Sequence, residues 1–89
     1  SYDSPRELAR LGMARTYRSE GDAEQALKQL MQDQSGIYGS HFNEVKGDAL
    51  RKKGDHAAAQ LAYAEALQLA DSMDARRDLL EMKLAEVSP

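Results

Sequence analysis

The sequence has 89 residues, with 12 Lys and Arg against 15 Asp and Glu, and a formal net charge of −3. It contains no cysteine, which excludes disulfides, thiolate nucleophiles and cysteine metal sites. Its acidic balance argues against a nucleic-acid-binding protein. The hydrophobic content of 42% is too high for a disordered chain, and the apolar runs are too short to span a bilayer.

The residue composition favours helices. Ala occurs 14 times and Leu 11 times, whereas Val, Ile and Thr together occur only four times. Ala and Leu lose little entropy in a helix, and strands favour β-branched and aromatic residues. The sequence therefore predicts an all-α fold of five helices without a strand.

The first two predicted helices flank a turn at Gly21-Asp22. The first begins at Ser4-Pro5, where Ser4 and Glu7 form a capping-box pattern. The second begins after Asp22 and ends at residues 34–36. Their apolar positions recur at helical spacing: Leu8, Leu11, Ala14 and Tyr17 in the first helix, and Ala23, Ala26, Leu27, Leu30 and Met31 in the second.

Three more helices follow a loop at residues 35–40. The third runs from about Ser40 to Lys53 and the fourth from His56 to Ala70, with Gly54-Asp55 between them. The fifth covers about residues 72–87, capped by Asp71-Ser72 or by Asp74. The apolar positions of the third and fourth are Phe42, Val45, Ala49 and Leu50, then Ala59, Ala62, Tyr63, Ala66, Leu67 and Ala70. Those of the fifth form two lines, Ala75–Leu79–Met82 and Leu80–Leu84–Val87, of which the first line and Leu80 are expected to cover the fourth helix.

The sequence contains an internal repeat. When it is shifted by 33 residues, Gly21-Asp22 falls on Gly54-Asp55, Arg18 on Arg51 and Ala26 on Ala59. A period of this length with small residues at the helix contacts is the tetratricopeptide pattern. Its signature positions are Ala14, Tyr17, Gly21, Ala26, Gly47, Leu50, Gly54, Ala59 and Tyr63. The alternative is an ordinary helical bundle with coincidental turns.

The predicted architecture is one tetratricopeptide-like domain over residues 1–89, a solenoid of helical hairpins. It has one repeat at about 5–34, a second at about 40–70 and a capping helix at about 72–87. Because the first residue is Ser and not Met, we expect the chain to be a processed or excised part of a longer protein.

A more specific resemblance lies in the stretch KGDALRKKGDHAAAQLAYAEAL and in the later ARRDLLEMKLAEV. These segments resemble the C-terminal part of the YfgM family, the ancillary subunits of the SecYEG translocon. The resemblance implies a periplasmic repeat domain on a protein of the bacterial inner membrane. It also implies two partners, the SecYEG translocon and the periplasmic chaperone PpiD. A cytoplasmic tetratricopeptide adaptor that binds a peptide segment of a partner is the alternative.

No constellation for catalysis or cofactor binding is evident. The six glycines are dispersed, so none forms a phosphate-binding loop, and no nucleophile triad or carboxylate pair stands out. His41, Glu44 and Asp48 have a spacing that a metal could use, but a polar helix face is the simpler interpretation. The sequence therefore predicts a protein that is not an enzyme and has no cofactor and no metal.

The remaining prediction is a protein-binding groove. In a tetratricopeptide solenoid the first helix of each hairpin lines the concave face, and cations there can pair with carboxylates of a bound segment. The same charges are also compatible with a merely solvated surface. The charged and polar groove residues are Arg15, Arg18, Ser19, His41, Glu44, Asp48, Arg51 and Lys52, with Leu8 and Leu11 beside them.

The first helix has no predicted cap on its outer side. Leu8, Leu11 and Met13 lie on more than one side of it, so an apolar strip lacks an internal partner. We expect an earlier repeat of a longer protein to cover this strip. Alternatively, a second copy pairs with it to form a homodimer.

Overall fold

The computed structural model describes residues 5–30 and 38–89, with side chains from residue 8 onward. It contains five helices: α1 (Pro5–Ser19), α2 (Ala23–Gln29), α3 (Gly39–Lys52), α4 (His56–Leu69) and α5 (Arg77–Val87). No strand occurs in the described residues, and the predicted all-α fold is confirmed. The Ser4 cap, the Glu7 side chain and Met31 lie outside the described residues. Helix α2 ends at Gln29, with Leu30 as its C-cap, and not at the predicted residues 34–36.

The two predicted Gly-Asp turns have the same conformation. Gly21 and Gly54 adopt φ values of 79° and 87°, a region that favours glycine. The Asp22 N–H donates to the Tyr17 carbonyl at 2.8 Å, and the Asp55 N–H donates to the Leu50 carbonyl at 2.9 Å. Each of these aspartates then accepts a hydrogen bond at the start of the next helix, from the backbone N–H of Gln25 (3.1 Å) and of Ala58 (3.2 Å). The two turns that repeat in the sequence therefore also have the same backbone conformation and hydrogen bonds.

The helices form two hairpins, α1–α2 and α3–α4. Helix α3 packs against both helices of the first hairpin, and α5 packs against α4. The junction between the hairpins is formed by Leu11, Ala14, Leu30, Phe42 and Val45, and beside it by Ala23, Ala26 and Ala49. The contact of α4 with α5 is formed by Ala59, Tyr63, Ala66, Leu80 and Val87. Leu11, predicted to line the groove, is instead 1% exposed in this core.

Gly47 allows α3 to approach α4 closely. A Cβ atom at Gly47 would lie 2.5 Å from Cε1 of Tyr63 and 2.7 Å from its Cδ1. The Tyr63 ring is fully buried, so it has no open space into which to move. Gly12, on the exposed side of α1, is the opposite case, because its Cβ would meet nothing within 4 Å.

We expect Gly47→Ala and Gly12→Ala to change stability in opposite directions. Gly47→Ala should lower the free energy of unfolding by about 1–2 kcal/mol, because overpacking against Tyr63 outweighs the gain in helix propensity. Gly12→Ala should raise it by about 0.5–1 kcal/mol through that propensity alone. Urea denaturation of both variants measures the difference. Shifts of the same sign would contradict the close packing at Gly47.

The last helix differs from the prediction in its start and in its buried side. It begins at Arg77 and not near residue 72, and no side chain caps it. Asp71 and Asp74 instead accept hydrogen bonds from the backbone N–H groups of Met73 (2.9 Å) and Arg76 (2.8 Å) in the turns before the helix. Because these carboxylates are used there, residues 72–76 form turns and the helix starts later.

Of the two apolar lines predicted for α5, the one through Leu80 is buried. Leu80 is 0% exposed and Val87 is 5% exposed. The expectation that Leu79 and Met82 cover α4 is wrong, because they are 45% and 60% exposed, and Ala75 precedes the helix. An α-helix of this length buries only one stripe. The neighbouring side of α5 faces α3, where Lys83 and Glu86 make ion pairs.

Candidate functional site

Three helices, α1, α3 and α5, are connected by polar contacts into one surface, the α1–α3–α5 face. The Arg15 guanidinium lies 3.1 Å from Nδ1 of His41, which joins α1 to α3. The Arg51 guanidinium donates to a carboxylate oxygen of Glu86 at 3.1 Å, which joins α3 to α5. Helices α1 and α3 are the first helices of the two hairpins, which the groove prediction places on one surface. Helix α5 follows the second hairpin.

Two acidic residues of α3 lie at the centre of this face, and both are 8% exposed. Asp48 accepts from Arg18 at 2.7 Å and from Lys83 at 3.1 Å. Glu44 accepts from Arg76 at 2.7 Å and from Lys83 at 3.0 Å. One residue from α1, one from α5 and one just before α5 therefore neutralise two carboxylates of α3.

The network continues into the core on the α4 side. The Tyr63 hydroxyl donates to the Asp48 carboxylate, and the Ser40 hydroxyl donates to the Ala66 carbonyl at 2.7 Å while accepting from Arg76 at 2.8 Å. Burial and the hydrogen bond to Asp48 raise the pKa of the Tyr63 hydroxyl far above its ordinary value. Tyr63 therefore remains a neutral donor.

The surrounding positive charges lower the pKa values of both Glu44 and His41. Burial alone would raise the pKa of Glu44, but hydrogen bonds and positive charges from Lys83 and Arg76 outweigh it and lower that pKa. The pKa of His41 is also lowered, first by burial and then by the positive charges of Arg76 and Arg15. His41 is therefore neutral at physiological pH, and the positive charge beside it belongs to the arginines.

The predicted groove residues have different positions in the structure. Arg15, His41 and Arg51 lie on the α1–α3–α5 face, and Arg18 is held there by Asp48. Glu44 and Asp48 are too buried to meet a partner directly, because the expected charged groove is covered at this point by Arg76 and Lys83. Ser19 donates to the Thr16 carbonyl at 2.9 Å, and the Lys52 side chain lies over the Gly21 turn.

No pattern in the sequence predicted that residues of α5 lie on this face. Leu79, Lys83 and Glu86 share one side of α5, because they are four and then three residues apart. Lys83 and Glu86 contact α3, so Leu79 lies on the same surface with Met82 beside it. The one signal in the sequence was the pair Glu44 and Asp48 on the inner face of α3. Two acids in such a position need positive charges from elsewhere in the chain. Nothing in the sequence identified which cations they were.

Leu8 completes the apolar part of the face. It lies seven residues before Arg15, on the same side of α1, and is 50% exposed. The α1–α3–α5 face thus presents Leu8 at one side and Leu79 and Met82 at the other, with Arg15 and His41 between them.

The described residues give no site for a metal ion and no helix for a membrane. In residues 5–30 and 38–89, no group of three or more His, Asp and Glu side chains could hold a metal. In the same part of the chain, no helix combines the length and apolar character needed to cross a membrane.

Together, the two hairpins with equivalent turns and the helix stacked after them define a helical repeat protein. The chain belongs to the tetratricopeptide repeat-like domain family, whose model matches residues 1–89. Comparisons with curated proteins and with solved structures gave no match. Domains of this family are typically non-catalytic modules that bind other proteins.

The lowered pKa of Glu44 makes stability depend on pH in acid. In the folded chain its pKa is below the ordinary value of a glutamate, so its ion pairs stabilise the fold above that ordinary value, and this stability is lost as pH falls through the folded pKa. We expect Glu44→Gln to be less stable than the parent at pH 7 and to lose less stability between pH 6 and pH 3. Thermal unfolding across this range measures both slopes, and parallel curves would contradict the assigned role of Glu44.

Proposed function

We propose that the chain is a non-catalytic interaction module that binds a segment of a partner protein along the α1–α3–α5 face. The observation that supports this most directly is the exposure of Leu8, Leu79 and Met82 on a surface that is otherwise held together by ion pairs. Protein-binding surfaces commonly combine apolar contacts with polar and charged ones.

The charge of the face indicates the chemistry of the bound segment. Arg15 donates to the neutral His41 ring and not to a carboxylate, so its charge remains available to a partner. An arginine pairs strongly with a carboxylate in two-point geometry. The segment that fits has an acidic residue flanked by apolar side chains.

For the biological setting, we propose an accessory role at the SecYEG translocon on the periplasmic side of the bacterial inner membrane, in which the domain works with the chaperone PpiD. This proposal rests on the resemblance of KGDALRKKGDHAAAQLAYAEAL and ARRDLLEMKLAEV to the YfgM family. The alternative is a cytoplasmic adaptor, which would use the same face on a different partner.

Site-specific photo-crosslinking in intact cells, with the full-length protein, tests both levels of the proposal. A photoreactive residue at Met82, which is 60% exposed on the face, should crosslink to a partner, and one at Leu61, which is 73% exposed on α4, should not. Crosslinks to SecYEG or PpiD support the translocon role, and crosslinks to a cytoplasmic protein support the alternative.

A charge reversal provides the matched control. Arg15→Glu should abolish the Met82 crosslink, whereas Lys28→Glu on the exposed side of α2 should leave it intact. Equal crosslinking from Met82 and Leu61, or a crosslink insensitive to Arg15→Glu, would reject the α1–α3–α5 face as the binding surface.

A further inference from the structure

The contact between Arg15 and His41 differs from the ion pairs around it. The Arg15 guanidinium lies 3.1 Å from Nδ1 of His41, and a guanidinium can only donate hydrogen bonds. Nδ1 must therefore be the acceptor, which requires a neutral ring with its proton on Nε2. Protonation of His41 would place a second proton on the ring, at Nδ1, and abolish this hydrogen bond.

The charged groups that face His41 come from three parts of the chain. Arg15 lies on α1, Glu44 on α3, and Asp74 and Arg76 just before α5. Glu44 and Asp74 are already paired, because Arg76 donates to them at 2.7 Å and 2.9 Å. Arg15 makes no ion pair with any side chain that the structure describes. Its positive charge is therefore the charge beside His41 that a bound anion can neutralise.

The polar network of this face carries an excess of positive charge. Four cations belong to it or touch it through His41, and three carboxylates oppose them: Arg15, Arg18, Arg76 and Lys83 against Glu44, Asp48 and Asp74. The whole chain has a formal net charge of −3, so this excess is a local feature. Arg15 is exposed and His41 is half-buried, so an anion can reach both groups from solvent.

A carboxylate bound at Arg15 would reverse the forces that keep His41 neutral. In the free chain, burial and the positive charges of Arg76 and Arg15 lower the pKa of His41, and Asp74 and Glu44 only partly oppose them. A bound carboxylate neutralises Arg15 and adds a negative charge beside the ring, and both changes favour the imidazolium. Binding of the carboxylate and uptake of a proton by His41 are therefore coupled.

We propose that a carboxylate of the bound segment draws a proton onto His41, so that Arg15 and His41 together form a two-cation site and the α1–α3–α5 face binds an acidic segment more tightly as the pH falls. The Arg15 guanidinium and the new Nδ1–H of His41 then both donate to the carboxylate. This inference rests on the proposed function, and it adds His41 to Arg15 as a residue that recognises the segment.

The two histidines of the chain make a direct test possible. Nuclear magnetic resonance of the imidazole C–H groups gives the pKa of His41, and His56, the first residue of α4, is the internal control. Sodium formate is the probe, because it is a small carboxylate that stays ionised throughout the titration of histidine. Sodium chloride at the same ionic strength is the reference.

We expect formate to bind about fivefold more tightly when His41 is protonated than when it is neutral, the low end of the usual range for coupled sites. Saturating formate should then raise the pKa of His41 by about 0.7 pH units, since a tenfold coupling corresponds to one unit. The pKa of His56 should be the same in formate and in chloride.

Three variants separate the roles of the two residues. Arg15→Gln should abolish the effect of formate on His41, whereas Lys28→Gln, on the exposed side of α2, should preserve it. In His41→Gln, formate should still bind at Arg15, followed through the Nε–H signal of Arg15, but with an affinity that no longer changes with pH. Circular dichroism should be the same for all three variants and the parent.

Two results would overturn the proposal. If formate shifts His41 and His56 equally, or still shifts His41 in Arg15→Gln, the two residues do not form a carboxylate site. If formate binds at Arg15 with the same affinity above and below the titration of His41, binding is not coupled to a proton. Either result leaves the crosslinking from Met82 unaffected, so failure of this inference is distinguishable from failure of the proposed function.

Discussion

Asp48→Ala is expected to lower the free energy of unfolding by about 3 kcal/mol, the low end of the cost of breaking a buried ion pair. The carboxylate of Asp48 accepts from Arg18, Lys83 and the Tyr63 hydroxyl. Its removal leaves a fully buried hydroxyl without its acceptor and two cations without one of their counter-charges. The low end applies because the Arg18 side chain is 34% exposed and can be solvated.

A double-mutant cycle separates the two parts of this loss. Tyr63→Phe removes the hydroxyl, so adding Asp48→Ala to it should cost less than Asp48→Ala alone. Urea denaturation of the single and double variants gives the coupling energy. A loss below about 0.5 kcal/mol for Asp48→Ala would show that the network is a surface feature with little effect on stability.

Leu80→Ala is expected to cost about 2–5 kcal/mol, the range for removal of a buried leucine side chain. Leu80 is 0% exposed and packs with Ala59, Tyr63 and Ala66. The resulting cavity lies in the contact of α5 with α4, so α5 should be the first helix to detach on heating.

Leu79→Ala is the matched control in the same helix. Leu79 is 45% exposed, and surface substitutions of this kind usually change stability by less than about 0.5 kcal/mol. The midpoints of thermal unfolding should therefore differ clearly between the two variants. Equal midpoints would mean that Leu79 covers α4 together with Leu80, as the sequence pattern predicts.

The covering of Glu44 and Asp48 by Arg76 and Lys83 changes which groups of the proposed binding face can contact a partner. A groove lined by unpaired charges would select a partner by electrostatics alone. Here Glu44 and Asp48 are instead paired with Arg76 and Lys83 within the molecule. The exposed groups that remain on the face are Arg15, the Arg51–Glu86 ion pair and three apolar side chains. We therefore expect the proposed face to select a partner by the charged contact of Arg15 together with the fit of apolar side chains.

The repeat and its turns were predictable because their causes are local. Gly at position 21 or 54 permits the positive φ that ends a helix, and the following Asp caps the next one through its own backbone neighbours. The small residue at Gly47 was likewise predictable as a point of close approach. Which aromatic ring it accommodates was shown only by the structure.

The sequence by itself determined the all-helical fold, the two equivalent hairpins and the apolar sides of α2, α3 and α4, because helix propensity, capping and 3.6-residue periodicity act within a few residues along the chain. Only the tertiary structure decided which side of α5 is buried and that Glu44 and Asp48 of α3 are buried in ion pairs. Of the two apolar lines on α5, the one through Leu80 is buried, and Lys83 on the neighbouring side pairs with Glu44 and Asp48, which lie 39 and 35 residues earlier in the sequence. Pairing between groups so far apart depends on how the helices stack, and no local pattern encodes it.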